Sequence, residues 1–469
     1  MSGVDSPTLG LVRLPKSLLR PWQKYNPATR RLLLILALTL MWDVAMMASG
    51  AGGTSPWRGL TLLASVAIYP LLVALIAVIL REPAPRWLSH LPIHKLIDLT
   101  PIILVSVAVA ITVQVPYLLR PTKSVSTDIT SSIICASREA MHGSNPYSES
   151  DFACLKSLHL PISMGTVLQR GVFARQSTTP TYTQIAAVVA RSKAHHWNNP
   201  AFAVFGYPPM SFIFMMPAAS GSRVTWVAYT LLAGLALVLL VGLAAGELWP
   251  AAVLVLLMQL GYGELLGSAL QGDGELFAYG LLVLALSWLD KPRLSGVLIG
   301  LAMAAHPLAW VVWFGYSLFT STKPHFKQRI VYSLGTALLL VLPWLIQEPH
   351  AAGSMLQLIF QPNYPIGSGV IALFGTAPPS LLRPVLLLAV VAAFAGFSVF
   401  AWQHQAWLAT LPVVSLSFMW LGWRSDLSYL GEVFALAAAM TIGLHRSNPN
   451  RTKPLSSLVP AATTSAADS

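Results

Sequence analysis

The run Arg223-Val-Thr-Trp-Val-Ala-Tyr-Thr-Leu-Leu-Ala-Gly-Leu-Ala-Leu-Val-Leu-Leu-Val-Gly-Leu-Ala244 carries no charge after its first residue. A helix needs about 20 consecutive apolar residues to cross the hydrocarbon of a bilayer, and this run meets that length. Others of the same character lie near 32–48, 59–80, 101–119, 329–346, 383–402, 405–422 and 427–443. Shorter ones lie near 208–220, 248–262, 276–289 and 295–319, the last interrupted by His306-Pro307. Together they predict an all-α, polytopic membrane protein with about 11–12 transmembrane helices.

Composition agrees. Of 469 residues, 55% are hydrophobic and 10% charged, where a soluble domain has roughly 25% charged. A net charge of +12 would point a soluble chain toward nucleic acid. Here the basic residues gather at span ends, as the positive-inside bias requires, so the expected partner is the lipid bilayer and not nucleic acid. Many of the tryptophans, such as Trp22, Trp57, Trp87, Trp226, Trp249 and Trp344, also fall at span ends, as an interfacial belt does.

Lys and Arg set the orientation. Arg13, Lys16, Arg20, Lys24, Arg30 and Arg31 hold the arm 1–31 in the cytoplasm, with no cleavable signal peptide evident. Arg81, Arg86 and Lys95 keep the next loop inside, within the N-terminal transmembrane block 32–119. The segment 120–206 is then delivered outside as a large first loop. A transmembrane core with broken helices follows over 207–346, a second outward loop over 347–382, and C-terminal spans over 383–444. The Ser/Thr/Ala-rich tail 445–469 is expected to be cytoplasmic and disordered. Simple alternation places Asp290-Lys-Pro-Arg293 outside, against the charge rule. A re-entrant or broken segment between 245 and 306, with Gln271 to Glu275 near the outer face, repairs this.

The outward loop has structure of its own. Ser126-Thr-Asp128 caps a helix to about His142, with Ile129, Ile133, Ile134 and Ala140 on its apolar side, and Gly143 stops it. Gly143-Ser-Asn145-Pro146-Tyr147 reads as a turn. Thr181 to Ala194 reads as an amphipathic helix lying on the membrane. Cys135 and Cys154 are the only cysteines. An oxidising outer compartment allows them to pair across the turn; the alternative is two unrelated small apolar residues.

In this order, Asp128, Ala140-Met-His-Gly143-Ser-Asn145-Pro146-Tyr147, Tyr207-Pro208-Pro209, Gln271-Gly-Asp273, Asp290-Lys-Pro-Arg293 and Gly296-Val-Leu-Ile-Gly300 through His306-Pro307 resemble GT-C fold glycosyltransferases. The likeness is greatest to the bacterial polyprenyl-phosphomannose-dependent α-mannosyltransferases and covers roughly 100–330. Where such proteins often have Lys-Pro, this chain has His306-Pro307. The resemblance implies a multi-pass enzyme of a bacterial plasma membrane. It would move mannose or another sugar from a polyprenyl-phosphate donor to a glycan or glycolipid acceptor at the outer face.

That chemistry needs a carboxylate to take the acceptor proton and donors around the departing phosphate. A monophosphate leaving group needs no metal, and no Asp-x-Asp pair or His/Cys cluster at metal spacing stands in the loop. The expectation is a metal-independent, inverting displacement with no cofactor beyond the donor. Asp128 is the candidate base, and also reads as a helix N-cap. Gln271 and Asp273 read as sugar or base contacts, or as caps of the next helix. His306 reads as a protonated partner of the lipid phosphate, or as a buried structural histidine. Asn145, Tyr147 and Tyr207 complete the candidate substrate-binding set, with a purely structural turn the alternative for the first two. A lipid-linked glycan polymerase or ligase, and a membrane transporter or flippase, are the other readings.

Overall fold

The computed structural model describes residues 27–51, 58–82, 128–148, 152–159, 180–194, 205–249, 251–253, 255–256, 274–349, 366–367, 382–421, 424–425 and 427–448. Almost all are helical. The helices are α1 (Pro27–Ala51), α2 (Arg58–Leu80), α3 (Asp128–Met141), α4 (Phe152–Ser157), α5 (Tyr182–Ala194), α6 (Met210–Ala219) and α7 (Arg223–Ala245). They continue with α8 (Glu275–Ser287), α9 (Pro292–Met303), α10 (Leu308–Thr320), α11 (Phe326–Gln347), α12 (Leu382–Gln403), the short α13 (Leu411–Val414) between two 3-10 turns, and α14 (Leu427–Arg446). Ile366-Gly367 pairs in parallel with Arg424-Ser425 as a two-residue β-bridge.

Three segments are long and apolar enough to cross a membrane: Arg223–Leu248, Phe326–Gln347 and Val385–Gln403. Each turns large aliphatic side chains outward, among them Leu232, Leu239 and Leu243 on α7 and Leu339 and Ile346 on α11. Contiguous apolar surface of this kind has no place in water. Shorter apolar helices, including α6, α8, α9 and α10, pack between the long ones.

Helices α8 to α11 form successive antiparallel hairpins. Ser295 Oγ donates to Ala285 O (2.9 Å) across α8–α9 and lies 2.9 Å from Tyr316 Oη across α9–α10. Trp313 Nε1 donates to Ser333 Oγ (2.9 Å) across α10–α11. Gly296 and Gly300 let α9 press onto α11: a Cβ at Gly296 would stand 2.8 Å from Arg329 O, and one at Gly300 would run into Ser333 O. Small residues four apart permit this approach between apolar helices.

The bundle therefore has two chemically distinct ends. One gathers Asp290, Lys291, Arg293, Lys323, Lys327 and Arg329 with the close of α14, where Arg446 reaches Asp290 and Ala244 O. The other gathers the starts of α7, α8 and α10 and the close of α11, where Asn145 of the outward loop approaches Gln347 Oε1 at 3.5 Å. We call these the basic end and the loop end.

Helix α6 departs from the expectation of a crossing at 208–220. Ten residues rise about 15 Å, half of a bilayer's hydrocarbon thickness. Met210 N donates to Ala304 O (2.8 Å), and Ala219 O accepts from Arg138 Nε (2.8 Å), so both ends of α6 stay at the loop end. The run 295–319 departs the other way. It is two helices folded back at His306-Pro307, not one interrupted helix. The irregularity expected between 245 and 306 falls largely on 257–273, outside the described residues, and the basic turn at Asp290 comes to the same end as Lys323 and Arg446.

Candidate functional site

Helix α3 is an amphipathic helix in a polar loop, and its apolar side decides where it docks. Ile133, Ile134, Cys135 and Ala136 are buried with Phe212, Met215, Ala218 and Ala219 of α6. Polar ties fix its register: Ser137 Oγ donates to Phe212 O (2.8 Å), and Arg138 places its guanidinium over the Trp226 ring at 5.7 Å. Burial draws that guanidinium below its ordinary pKa. Cys135 is joined to Cys154 by a disulfide with Cα atoms 5.8 Å apart, which pins α4 to α3.

Gly143 ends α3 with φ +78°, a conformation that favours glycine. The next residues make an Asx turn, in which Tyr147 N donates to Asn145 Oδ1 (3.0 Å) and Ser148 N to Asn145 O (3.0 Å). Tyr147 then disappears among Phe205, Phe212 and Trp344 and donates its hydroxyl to Tyr207 O (2.7 Å). Burial pushes the phenol well above its ordinary pKa, so it stays a proton donor. Among the substrate-binding candidates, Tyr147 is thus enclosed with its hydroxyl committed, and Asn145 spends its carbonyl oxygen within the turn. Both hold the loop onto the bundle.

Beneath α3 the helices differ in length. Helices α8, α9 and α10 contain 13, 12 and 13 residues and so rise only about 18–20 Å, whereas the 22 residues of α11 rise about 33 Å. The shorter hairpins stop well below the top of α11, and α6 fills the space above them. Where α6 meets them stand Glu275, the first residue of α8, and His306, in the turn after α9. Each is 4% exposed, with His306 Nε2 3.1 Å from Glu275 Oε1.

The imidazole's other nitrogen fixes its tautomer. Leu308 N donates to His306 Nδ1 (3.2 Å), so Nδ1 accepts and the ring proton sits on Nε2, donated to the Glu275 carboxylate. The ring centroids of Tyr207 and Tyr279 lie 6.0 and 5.6 Å from that of His306. Both ring nitrogens thus have protein partners, as in the buried structural histidine that is the other reading of His306. Glu275 was missed as a functional residue by sequence reasoning. Its signal was an acid at the first position of an apolar helix.

Gly274 brings the two halves of the site together. A Cβ there would stand 3.1 Å from Ser211 O and 3.3 Å from Ile133 Cδ1, so α3, α6 and the start of α8 meet at that glycine. Asp128 opens α3 five residues before Ile133, about 7.5 Å along the helix axis. Its side chain, and Gln271 and Asp273, lie outside the described residues. Among the described residues no group of three His, Cys, Asp or Glu gathers as a metal site.

No family model, curated protein or solved structure matches this chain.

Proposed function

We propose that this chain is an integral membrane glycosyltransferase of the GT-C kind, transferring a sugar from a polyprenyl-phosphate donor to a glycan or glycolipid acceptor. The loop end faces outward and the basic end faces the cytoplasm, in keeping with the positive-inside bias. Counting 101–119 and 248–262, which lie wholly or largely outside the described residues, as one passage each, with α6 confined to the loop end and α9–α10 a hairpin, twelve passages put 1–31 and 445–469 on the same side. The basic residues at Arg81, Lys291–Arg293, Lys323–Arg329 and Arg446 then fall inside, while 120–206 carries its own lysines and arginines outside.

The observation that carries the reading is the seating of α3. A helix whose first residue is Asp128 is bolted by a disulfide, a serine and an arginine over a buried carboxylate–imidazole pair. A proton-abstracting group needs rigid placement, and the helix that begins at Asp128 is held in that way. Asp128 takes the acceptor hydroxyl's proton as its oxygen bonds the anomeric carbon and the phosphate leaves from the opposite face. Glu275 and His306 brace the start of α8 beneath α3, with Tyr207 beside His306, and the lipid tail of the donor stays in the bilayer.

The test is transfer of radiolabelled sugar in membranes from a panel of polyprenyl-phosphate sugars, with and without chelator. Chelator-resistant transfer with inverted anomeric configuration in the product is expected. Transfer only from nucleotide sugars, or retained configuration, contradicts the proposal.

A further inference from the structure

The basic end holds a cavity of about 400 Å3 that transfer at the loop end does not use. Lys323, Arg329 and Arg446 line it, with His325, against one carboxylate, Asp290. That carboxylate is committed. Arg446 Nε and Nη2 each donate to one of its oxygens at 2.8 Å, and the same guanidinium lies 4.5 Å from the Trp288 ring centroid.

Arg329 is different. It is 7% exposed, and its terminal nitrogens donate only to neutral acceptors, Leu289 O (2.6 Å) and Tyr316 Oη (3.2 Å). Its Nε has no hydrogen-bond partner, and it forms no ion pair among the described residues. A guanidinium taken out of water without a counter-charge is costly, and the cost falls when an anion meets it. Lys323 stands exposed over the Phe319 ring at 5.3 Å. Helices α9 and α11 both begin beside this cavity without side-chain caps, which adds the positive ends of two helix dipoles.

We propose that this cavity binds a phosphate group, free in solution or carried by an anionic lipid headgroup. A guanidinium, an ammonium and two helix starts around one space suit a compact anion with several acceptor oxygens. The volume leaves room for the substituent of a phosphate ester beside Phe319 and Leu444. The site lies at the opposite end of the bundle from Asp128, so it does not depend on the glycosyl-transfer reading.

The experiment is thermal unfolding of the purified full chain in a neutral detergent, followed by tryptophan fluorescence. The probes are inorganic phosphate, short-chain phosphatidic acid and diacylglycerol, at ionic strength matched with chloride. Wild type, Lys323→Glu, Arg329→Gln and Lys327→Glu are compared; Lys327 is equally exposed and outside the cavity. The wild-type midpoint should rise with phosphatidic acid and not with diacylglycerol, and losing one charged contact in Lys323→Glu should weaken binding about tenfold or more. Lys327→Glu should bind as wild type does, and the Lys323 variant decides the matter if Arg329→Gln does not fold. A matching rise with inorganic phosphate assigns the phosphate itself as sufficient; a rise with the lipid alone assigns the headgroup. No rise with either probe, an equal rise with diacylglycerol, or equal loss in Lys323→Glu and Lys327→Glu overturns the site.

Discussion

Glu275 and His306 tie the start of α8 to the turn after α9. Each is buried, and removing either costs the other this contact, a loss of about 1–3 kcal/mol. His306→Ala should therefore lower unfolding stability by that amount, whereas Glu275→Gln, which keeps an acceptor oxygen, should lose less. A double-mutant cycle between them, read by unfolding in detergent, should give a coupling above about 0.5 kcal/mol; additive losses would mean that the contact contributes nothing. Asp290 gives the matching case for pH. Burial raises its pKa, but the hydrogen bonds and charge of Arg446 outweigh it and hold the carboxyl below its ordinary value. The tie is thus fully present above the ordinary carboxylate range and lost as pH falls through the depressed value. Acid unfolding should begin at higher pH in Arg446→Gln than in wild type, and equal midpoints would remove the tie from the account. The sequence made His306 conspicuous because a histidine before proline marks a helix break. Its partner was hidden, since Glu275 is 31 residues away and meets it only once α8 and α9 fold back.

The disulfide sets how firmly the outward loop is held. It closes a loop with a sequence separation of 19, worth about 3 kcal/mol in the chain-entropy model. Cys135→Ser, Cys154→Ser and reductant should each make the region around 142–159 cleave faster in limited proteolysis, while the helices of the bundle core stay protected. Unchanged cleavage would show that the apolar seam against α6 suffices by itself. The body and close of helix α3 were legible in isoleucines at helical spacing and a terminating glycine, while the expected Ser126-Thr-Asp128 cap lies outside the described residues. The character of α6 was not legible. Met210–Ala219 is as apolar as a crossing helix, and what separates it from one is a length of ten residues and two tertiary hydrogen bonds. The hairpin at His306-Pro307 was unreadable for the same reason, because a proline break looks alike in a kinked helix and in a turn.

At the scale of the whole molecule, the all-helical architecture followed from composition and run length, because little else can be built from this much apolar sequence. The pairing of ends did not, since a single misread crossing reverses every later loop. The proposed orientation, with α6 at the loop end, predicts Ser222 outside and Lys323 inside, and both are exposed. Ser222→Cys should be labelled by a membrane-impermeant maleimide in intact cells, and Lys323→Cys only after permeabilisation. Protection of Ser222→Cys in intact cells would restore α6 as a crossing and undo the twelve-span arrangement. The central claim is that Asp128 acts as the general base. Sugar transfer from the preferred polyprenyl-phosphate donor should be measured in membranes holding wild type and Asp128→Asn at equal expression, with chelator present. The account predicts a loss of about 100-fold or more in the variant, the contribution of a positioned general base. Equal transfer by the two proteins would contradict it.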